Sequence, residues 1–210
     1  MTATTTAPTR DRLLDAALEL FAERGYTETT VGDIEAAAGL VPRSGALYKH
    51  FASKDALLHE ALDRFVSSTA VVESRVFDFL PLGDMQAEAT LLARTTMAHF
   101  SAQKDFLRIV FQERSRIPDV VDQMYRRAVA PAYVIATQWV QRQIDAGLMG
   151  PCDAEAIAAL IVVPFVGYQL EMNQFGVPPG NVDPERFVAA WVDLLMTYAQ
   201  GSKGKSDANS

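Results

Sequence analysis

The sequence has little cysteine, little histidine and no excess of positive charge. Its 210 residues include one cysteine and three histidines, and the formal net charge is −7. The single cysteine, Cys152, cannot form a disulfide within the chain, which fits a reducing compartment. The Cys152 thiol is expected to be inert, and the alternative is a redox sensor. The histidines, His50, His59 and His99, are scattered and lack the spacing of metal ligands.

Features that mark common enzyme and membrane classes are also missing. No apolar run approaches the roughly 18 to 20 residues that cross a bilayer, and Met1 to Thr9 lacks the basic flank and apolar segment of a signal peptide. There is no glycine-rich phosphate loop. Glu113 and Glu171 could pair as acid and base, but nothing separates them from ordinary charges. We therefore expect a cytoplasmic protein that is not an enzyme and uses no cofactor or metal.

Positive charge is concentrated in one short segment. Residues 1–55 carry six basic and eight acidic side chains, and no acidic residue lies between Glu35 and Asp55. Within that gap fall Arg43, Lys49 and Lys54, together with a histidine. A local basic patch on an acidic protein is typical of a domain that binds DNA at one surface and is repelled elsewhere.

The predicted fold class is all-α, because apolar residues recur at intervals of three and four and no segment alternates like a half-buried strand. Leu14, Leu18 and Phe21 form one stripe of a first helix over 10–24, with Thr9 as its N-cap. A capping box at Thr30 starts a second helix. Further helices are predicted at 42–49 (with Pro42 in its first position), from Ser53 to about 79, 84–102, 105–115, 119–146 (with a kink or restart at Pro131), 153–175 and 184–200.

The helix pattern divides into a DNA-binding domain at 8–68 and a larger helical domain at 69–200, followed by a polar tail at 201–210 that is predicted to be disordered. In the first domain, two short helices and a glycine-containing turn predict a helix-turn-helix. Its second helix must enter a major groove about 12 Å wide. Small residues at Ser44 and Ala46 suit that face, whereas Leu47 and Phe51 are expected to point inward.

Three ordered segments resemble the TetR (tetracycline-repressor-like) family: TRDRLLDAALELFAERGY at 9–26, TTVGDIEAAAG at 29–39 and GALYKHFASKDAL at 45–57. The resemblance covers about residues 9–66. It implies a helix-turn-helix DNA-binding domain on a helical ligand-binding and dimerisation domain. It further implies a homodimeric transcriptional regulator, typically a repressor released from a palindromic DNA operator by a small hydrophobic effector. By this resemblance Thr30, Tyr48 and Lys54 would bind phosphate, and Ser44, Ala46 and Lys49 would face bases.

The sequence departs from the family pattern in the turn. The family has seven steps from the first glycine of the turn to the tyrosine, whereas Gly39 to Tyr48 is nine steps. Two extra residues therefore lie around Pro42 and Arg43, which puts the pose of the recognition helix in question. Our hypothesis is that Arg43 extends toward a phosphate or a guanine at the edge of the groove.

Two sets of residues are expected to serve the larger domain. A dimer interface of four helices is predicted from apolar faces near the C-terminus; the alternative is that these faces only close the core of the monomer. Its residues are Ile157, Leu160, Ile161, Phe187, Trp191, Leu194, Leu195 and Tyr198. Ligand-pocket candidates are the aromatic, methionine and polar residues of the middle helices: Met97, Phe100, Phe106, Phe111, Met124, Tyr125, Tyr133, Trp139, Phe165, Tyr168, Gln169 and Met172, with His99, Gln112, Glu113 and Asn173.

Other functions remain open at the level of sequence. Periodicity alone would also allow residues 9–66 to be a small helical subdomain with an exposed basic turn. A helical adaptor that binds proteins through an apolar face would show no preference for duplex DNA. A non-specific architectural protein would bind any DNA with an affinity that falls with salt.

Overall fold

The computed structural model describes residues 7–77 and 79–207, and every regular element in these ranges is a helix, as predicted. Nine α-helices are described in this part of the chain: α1 Thr9–Arg24, α2 Val31–Ala37, α3 Lys54–Phe77, α4 Met85–Ala102, α5 Lys104–Glu113, α6 Pro118–Met124, α7 Ala130–Asp145, α8 Ala154–Phe175 and α9 Pro184–Asp207. Short 3-10 turns lie at Leu47–Lys49 and Pro179–Asn181, and a π-helical segment at Tyr125–Val129.

The helices form two compact units. Of the described residues, the first contains 7–67 together with Gln103–Met124. Within it α5 packs against α1, because its apolar face buries Phe106 and Ile109. The sequence instead assigns residues 103–124 to the C-terminal domain. Periodicity identifies the apolar face of a helix but not the helix that covers it, so this assignment could not be made from the pattern.

Of the described residues, the second unit contains 68–77, 79–102 and 125–207. A buried polar group lies inside its apolar core. One carboxylate oxygen of Glu88 accepts hydrogen bonds from Trp139 Nε1 (2.9 Å) and Gln143 Nε2 (3.0 Å), and the other accepts one from the amide of Leu82 (2.8 Å). This network fixes the indole of Trp139, which is 1% exposed.

The long helix predicted at 119–146 is interrupted. It consists of α6, the π-helical segment and α7, which restarts at Ala130 with Pro131 in its first turn. Proline has no amide hydrogen and cannot donate to a carbonyl of the preceding turn. The expected restart at Pro131 is confirmed, and the π-helical segment accommodates it.

Two predicted helix ends differ from the structure. Pro8, not Thr9, is the N-cap of α1. At the other end the prediction of a disordered tail is wrong for residues 201–207, which continue α9. The Ser202 hydroxyl accepts a hydrogen bond from the amide of Gly150 (2.9 Å), and a β-carbon at position 150 would lie 2.3 Å from the Ser202 carbonyl carbon. The contact between Gly150 and Ser202 holds the last residues of α9 in place, although their polar composition predicts no helix there. Residues 208–210 lie outside the described residues.

Candidate nucleic-acid interface and apolar cavity

The predicted DNA-reading segment is not a helix over 42–49. Only Leu47–Lys49 forms a 3-10 turn, and residues 41–46 form an irregular loop. Arg43 has φ +60° and Gly45 has φ +74°. A right-handed helix requires negative φ at every residue, so two left-handed residues so close together prevent helix formation. The prediction of a recognition helix starting at Pro42 is therefore wrong. We call residues 41–49 the reading segment.

Both ends of the loop are tied to α2. After α2, Gly39 at φ +71° ends the helix in a Schellman motif: its amide donates to Ala36 O (3.0 Å), and the Leu40 amide donates to Glu35 O (2.8 Å). At the other end, the Glu35 carboxylate accepts hydrogen bonds from the amides of Ser44 and Leu47, each at 3.0 Å. One residue thus closes the loop on both sides.

Glu35 is fully buried, and sequence reasoning missed it. Its neighbour Ile34 is also buried, which places Glu35 on the inner side of α2, where an acidic residue is costly unless it is hydrogen-bonded. Two features of the sequence could have indicated its role. Glu35 is an acidic residue beside a core position, and the turn that follows it is two residues longer than the family pattern.

The exposed side of the reading segment carries most of the residues that were predicted to bind DNA. Arg43, Ser44 and Lys49 are exposed, Tyr48 is 59% exposed, and Ala46 is half-buried. Leu47 and Phe51 point inward as expected, at 0% and 4% exposure. The arrangement is a rigid apolar base with hydroxyl and cationic groups on its outer face.

The structure shows where the stem of Arg43 lies, which bears on the hypothesis that this side chain extends toward DNA. A β-carbon at Gly32 would lie 3.1 Å from Arg43 Cγ, so the stem of this side chain lies over the first turn of α2. The absence of a side chain at position 32 leaves room for it. Arg43 therefore lies against α2 and is still exposed.

Thr30 is exposed at the start of α2, but its polar groups are engaged. The capping box is confirmed: Asp33 N donates to Thr30 Oγ1 (3.2 Å), and Asp33 Oδ2 accepts from the Thr30 hydroxyl (2.6 Å) and amide (2.9 Å). The hydroxyl bond and then the amide bond lower the pKa of Asp33. In this conformation the Thr30 hydroxyl donates its hydrogen bond to the Asp33 carboxylate.

Lys54, which was predicted to bind phosphate, is hydrogen-bonded to the turn between α1 and α2 in the structure. Its ammonium donates to the carbonyl oxygens of Tyr26 (2.6 Å) and Thr29 (3.0 Å) and lies 4.2 Å from the centre of the Tyr26 ring. Burial lowers the pKa of Lys54, while Glu28 opposes the shift. In this geometry Lys54 stabilises the turn between α1 and α2, and its contact with phosphate stays a prediction.

An apolar cavity of about 180 Å³ lies in the second unit. Small side chains on facing helices, such as Ala93 and Ala136, leave the space open, and both tryptophans of the chain, Trp139 and Trp191, form part of its wall. The complete lining is Thr69, Val72, Val76, Leu92, Ala93, Thr95, Thr96, His99, Phe100, Ala132, Ile135, Ala136, Trp139, Ile161, Val162, Phe165 and Trp191.

The lining carries no side chain that is charged at neutral pH. Its polar groups are three threonine hydroxyls, the indole nitrogens and His99. His99 Nε2 lies 3.0 Å from the Thr69 hydroxyl, and burial lowers the pKa of His99, so its ring is neutral near pH 7. The cavity therefore suits an uncharged molecule with few polar atoms.

Only part of the predicted pocket lines this cavity, namely Phe100 and Phe165, with Trp139 and His99 from the wider set. Phe106, Phe111, Gln112, Glu113 and Met124 belong to the first unit. The Tyr168 hydroxyl donates to Val182 O, Gln169 donates to Asn173, and Tyr125 is exposed. Met97, Tyr133 and Met172 are half-buried outside the lining. The spacing of aromatic residues identified core positions. The space of the cavity instead depends on small alanine and threonine side chains, which that spacing does not reveal.

The residues predicted to form a dimer interface divide into two groups. Ile157 and Leu195 are buried in the core, and Ile161, Phe187 and Trp191 are partly buried against it. Leu160, Leu194 and Tyr198 are exposed by 68%, 70% and 40%, and Val163 on α8 by 53%. An apolar strip thus remains uncovered on α8 and α9.

Two general features of the described residues bear on other classes of function. Among the residues that the structure describes, no cluster of three or more His, Cys, Asp or Glu side chains could hold a metal ion. By length and composition α8 could cross a membrane, with 28% of its most apolar window buried. A single such helix is weak evidence of a membrane protein, since core helices of soluble proteins share these properties.

The geometry of Lys54 generates a stability prediction. Replacing Lys54 with methionine keeps the aliphatic stem but removes two charge-assisted hydrogen bonds, and should lower the free energy of unfolding by about 1–2 kcal/mol. Urea unfolding followed by circular dichroism measures this change. The matched control is Lys49→Met, which removes the same charge at an exposed position and should alter stability by less than about 0.5 kcal/mol. Equal effects of the two substitutions would contradict a structural role for Lys54.

Comparisons with known proteins agree with this arrangement. The family model described as bacterial regulatory proteins, tetR family, matches residues 13–61. The transcriptional repressor KstR2 of Rhodococcus jostii is 53% identical over 57 residues, which span 27% of this chain and 27% of that repressor. The transcriptional regulator AcrR of Shigella flexneri is 26% identical over 192 residues, 90% of this chain and 87% of that protein.

Solved structures show the same fold along nearly the whole chain. The ketosteroid transcriptional regulator KstR2 of Mycobacterium tuberculosis has a TM-score of 0.69 at 21% identity and covers 94% of this chain and 97% of its own. The fatty acid degradation regulator FadR of Bacillus halodurans has a TM-score of 0.68 at 16% identity, with 92% and 97% covered. At these identities the likeness establishes the fold alone. Residues 13–61 thus match the tetR family of bacterial regulatory proteins, and the described chain has the fold of the regulators KstR2 and FadR.

Proposed function

We propose that this protein is a sequence-specific DNA-binding transcriptional repressor. The observation that carries the proposal is the reading segment, whose hydroxyl and cationic side chains are exposed on a buried apolar base. Tyr48 and Lys49 suit phosphate and base edges, since base contacts specify sequence and phosphate contacts fix register. The names of the relatives, repressor and regulator, agree with this function. A repressor of this kind acts where the DNA is, in the cytoplasm of a bacterium.

Dimerisation through α8 and α9 is part of the proposal. Leu160 and Leu194 are large apolar side chains left in solvent on these two helices, and burying such side chains stabilises association by roughly 25 cal/mol per Å² of apolar surface. A two-fold dimer would present two reading segments to successive major grooves, which lie about 34–36 Å apart. The operator would then be a palindrome.

The effector we propose is a small, uncharged, largely apolar molecule bound in the cavity. A cavity of about 150 Å³ in another protein holds a benzene molecule, so a cavity of about 180 Å³ suits one ring or a short chain. Its neutral walls would make the burial of a carboxylate unfavourable. The effector would release DNA only if it bound more tightly to the form of the repressor that does not bind the operator.

The DNA proposal is tested by selecting binding sites from random duplex DNA. Wild-type protein should enrich a palindrome, and the double variant Tyr48→Ala, Lys49→Ala should lose affinity for it by about tenfold or more, because it lacks contacts of the reading segment. Lys104→Ala removes one exposed positive charge elsewhere in the same unit and should retain the preference. Without enrichment by the wild type at low and moderate salt, the repressor proposal would fall, and a protein-binding adaptor would replace it.

The dimer proposal is tested by light scattering on the purified protein. The wild type should have twice the mass of the 23.0 kDa chain, and the double variant Leu160→Glu, Leu194→Glu should be a monomer, because it places charges in the apolar strip. Val134→Glu alters another exposed apolar residue, on α7, and should remain a dimer. Unchanged mass of the double variant, or retention of the wild type in the membrane fraction of cells, would overturn this part of the proposal.

The cavity proposal is tested by tryptophan fluorescence, since both tryptophans line the cavity. Titration with p-cresol should change the emission, whereas benzoate, of similar size but anionic, should change it much less. Ala136→Leu, which fills the cavity, should weaken p-cresol binding by about tenfold or more. Ala98→Leu adds the same bulk at an exposed position of α4 and serves as the control. Tighter binding of benzoate than of p-cresol would contradict the neutral cavity.

A further inference from the structure

We propose that Glu35 is a positioning residue that sets the base preference of the reading segment. The inference rests on the proposed DNA-binding function and identifies what determines its specificity. Glu35 is fully buried and is not available to touch DNA. Its influence must therefore act through the backbone that it holds.

The contacts of Glu35 define the path of the loop. Each carboxylate oxygen accepts one backbone amide, Oε2 that of Ser44 and Oε1 that of Leu47, both at 3.0 Å. The Glu35 carbonyl accepts the amide of Leu40 on the other side of the loop (2.8 Å). The six residues from 41 to 46 are thereby closed into a loop whose two ends meet at a single side chain and its own backbone.

The same contacts oppose the tendency of this loop to relax. Arg43 occupies the left-handed region of φ, which is unfavourable for a residue with a β-carbon. The Ser44 amide has a second, longer interaction with Val41 O (3.3 Å), whereas the Leu47 amide donates to Glu35 Oε1 (3.0 Å). A buried amide without an acceptor is costly, and the two oxygens of Glu35 satisfy both of these amides. The carboxylate therefore stabilises a conformation that the loop sequence does not favour by itself.

The two amides adjoin the residues that face DNA. Ser44 follows Arg43, and Leu47 precedes Tyr48, so a shift of either amide redirects an exposed side chain. Loss of Glu35 would redirect Arg43 and Tyr48 but would remove no exposed positive charge, so general attraction to phosphate should survive it. This separates a positioning role from a purely structural one, because general unfolding of the domain would weaken specific and non-specific binding together.

The test compares Glu35→Gln with the wild type on the selected operator and on a scrambled duplex of equal length. Glutamine has the same shape, but only its oxygen can accept an amide hydrogen, while its own amide group opposes the other. Operator affinity should fall by about tenfold or more, and binding to the scrambled duplex, with its salt dependence, should stay within about twofold. Site selection with the variant should return a broader motif.

Glu23→Gln is the matched control, since it removes the same charge from an exposed position of α1 in the same unit. It should leave the ratio of operator to scrambled affinity unchanged. If Glu35→Gln also preserves that ratio, or lowers both affinities in parallel, the positioning role is overturned. A wild type that selects no sequence at all would instead remove the proposed function, which is a separate result.

Amide hydrogen exchange keeps the inference testable if Glu35→Gln fails to fold. In the wild type the amides of Ser44 and Leu47 should exchange at least tenfold more slowly than that of Arg43, an exposed loop neighbour whose amide Glu35 does not bind. Fast exchange at both positions in the folded wild type would mean that the carboxylate does not hold the loop, and the inference would be withdrawn.

Discussion

Residues 43–45 cannot belong to a right-handed helix, because Arg43 and Gly45 have positive φ angles. This backbone constraint determines the form of the reading segment. A helix would satisfy its own amides through bonds to the preceding turn, whereas a loop needs acceptors from elsewhere. The carboxylate of Glu35 supplies them to Ser44 and Leu47. The longer turn therefore requires the buried carboxylate of Glu35, and the exposed side of the reading segment depends on both.

Lys49 in the reading segment and Lys54 after it have different tasks, although only five positions separate them. Lys49 is exposed on the 3-10 turn, and its charge is available to a partner. Lys54 turns inward to the carbonyls of Tyr26 and Thr29, where it supports the position of α2 and so indirectly the loop that follows. Stability and recognition are thus separated between neighbouring cations, which is why matched substitutions at the two sites distinguish the roles.

The helices were predictable from the sequence, whereas the loop and the cavity were not. Leu14, Leu18 and Phe21 mark the buried face of α1, and Thr30 with Asp33 marks the start of α2, because both signals are local. The torsion of Arg43 depends on a carboxylate eight residues earlier in the chain. The cavity depends on small residues such as Ala136 from several helices, and periodicity reveals a face without revealing whether it is filled.

Charge distribution makes the shape of the reading segment more important than it would be in a basic protein. The net charge is −7, and of the predicted DNA-binding cations only Arg43 and Lys49 are exposed with Lys54 turned inward. Each phosphate neutralised adds roughly one unit to the salt dependence of binding, so in the proposed repressor these two cations would supply little general affinity for DNA. The preference for one sequence must then come from how well the loop fits base edges. A mobile loop would pay the entropy of ordering when it binds DNA, whereas a fixed loop keeps that free energy for discrimination between base sequences. The buried carboxylate of Glu35 is the group that fixes the loop.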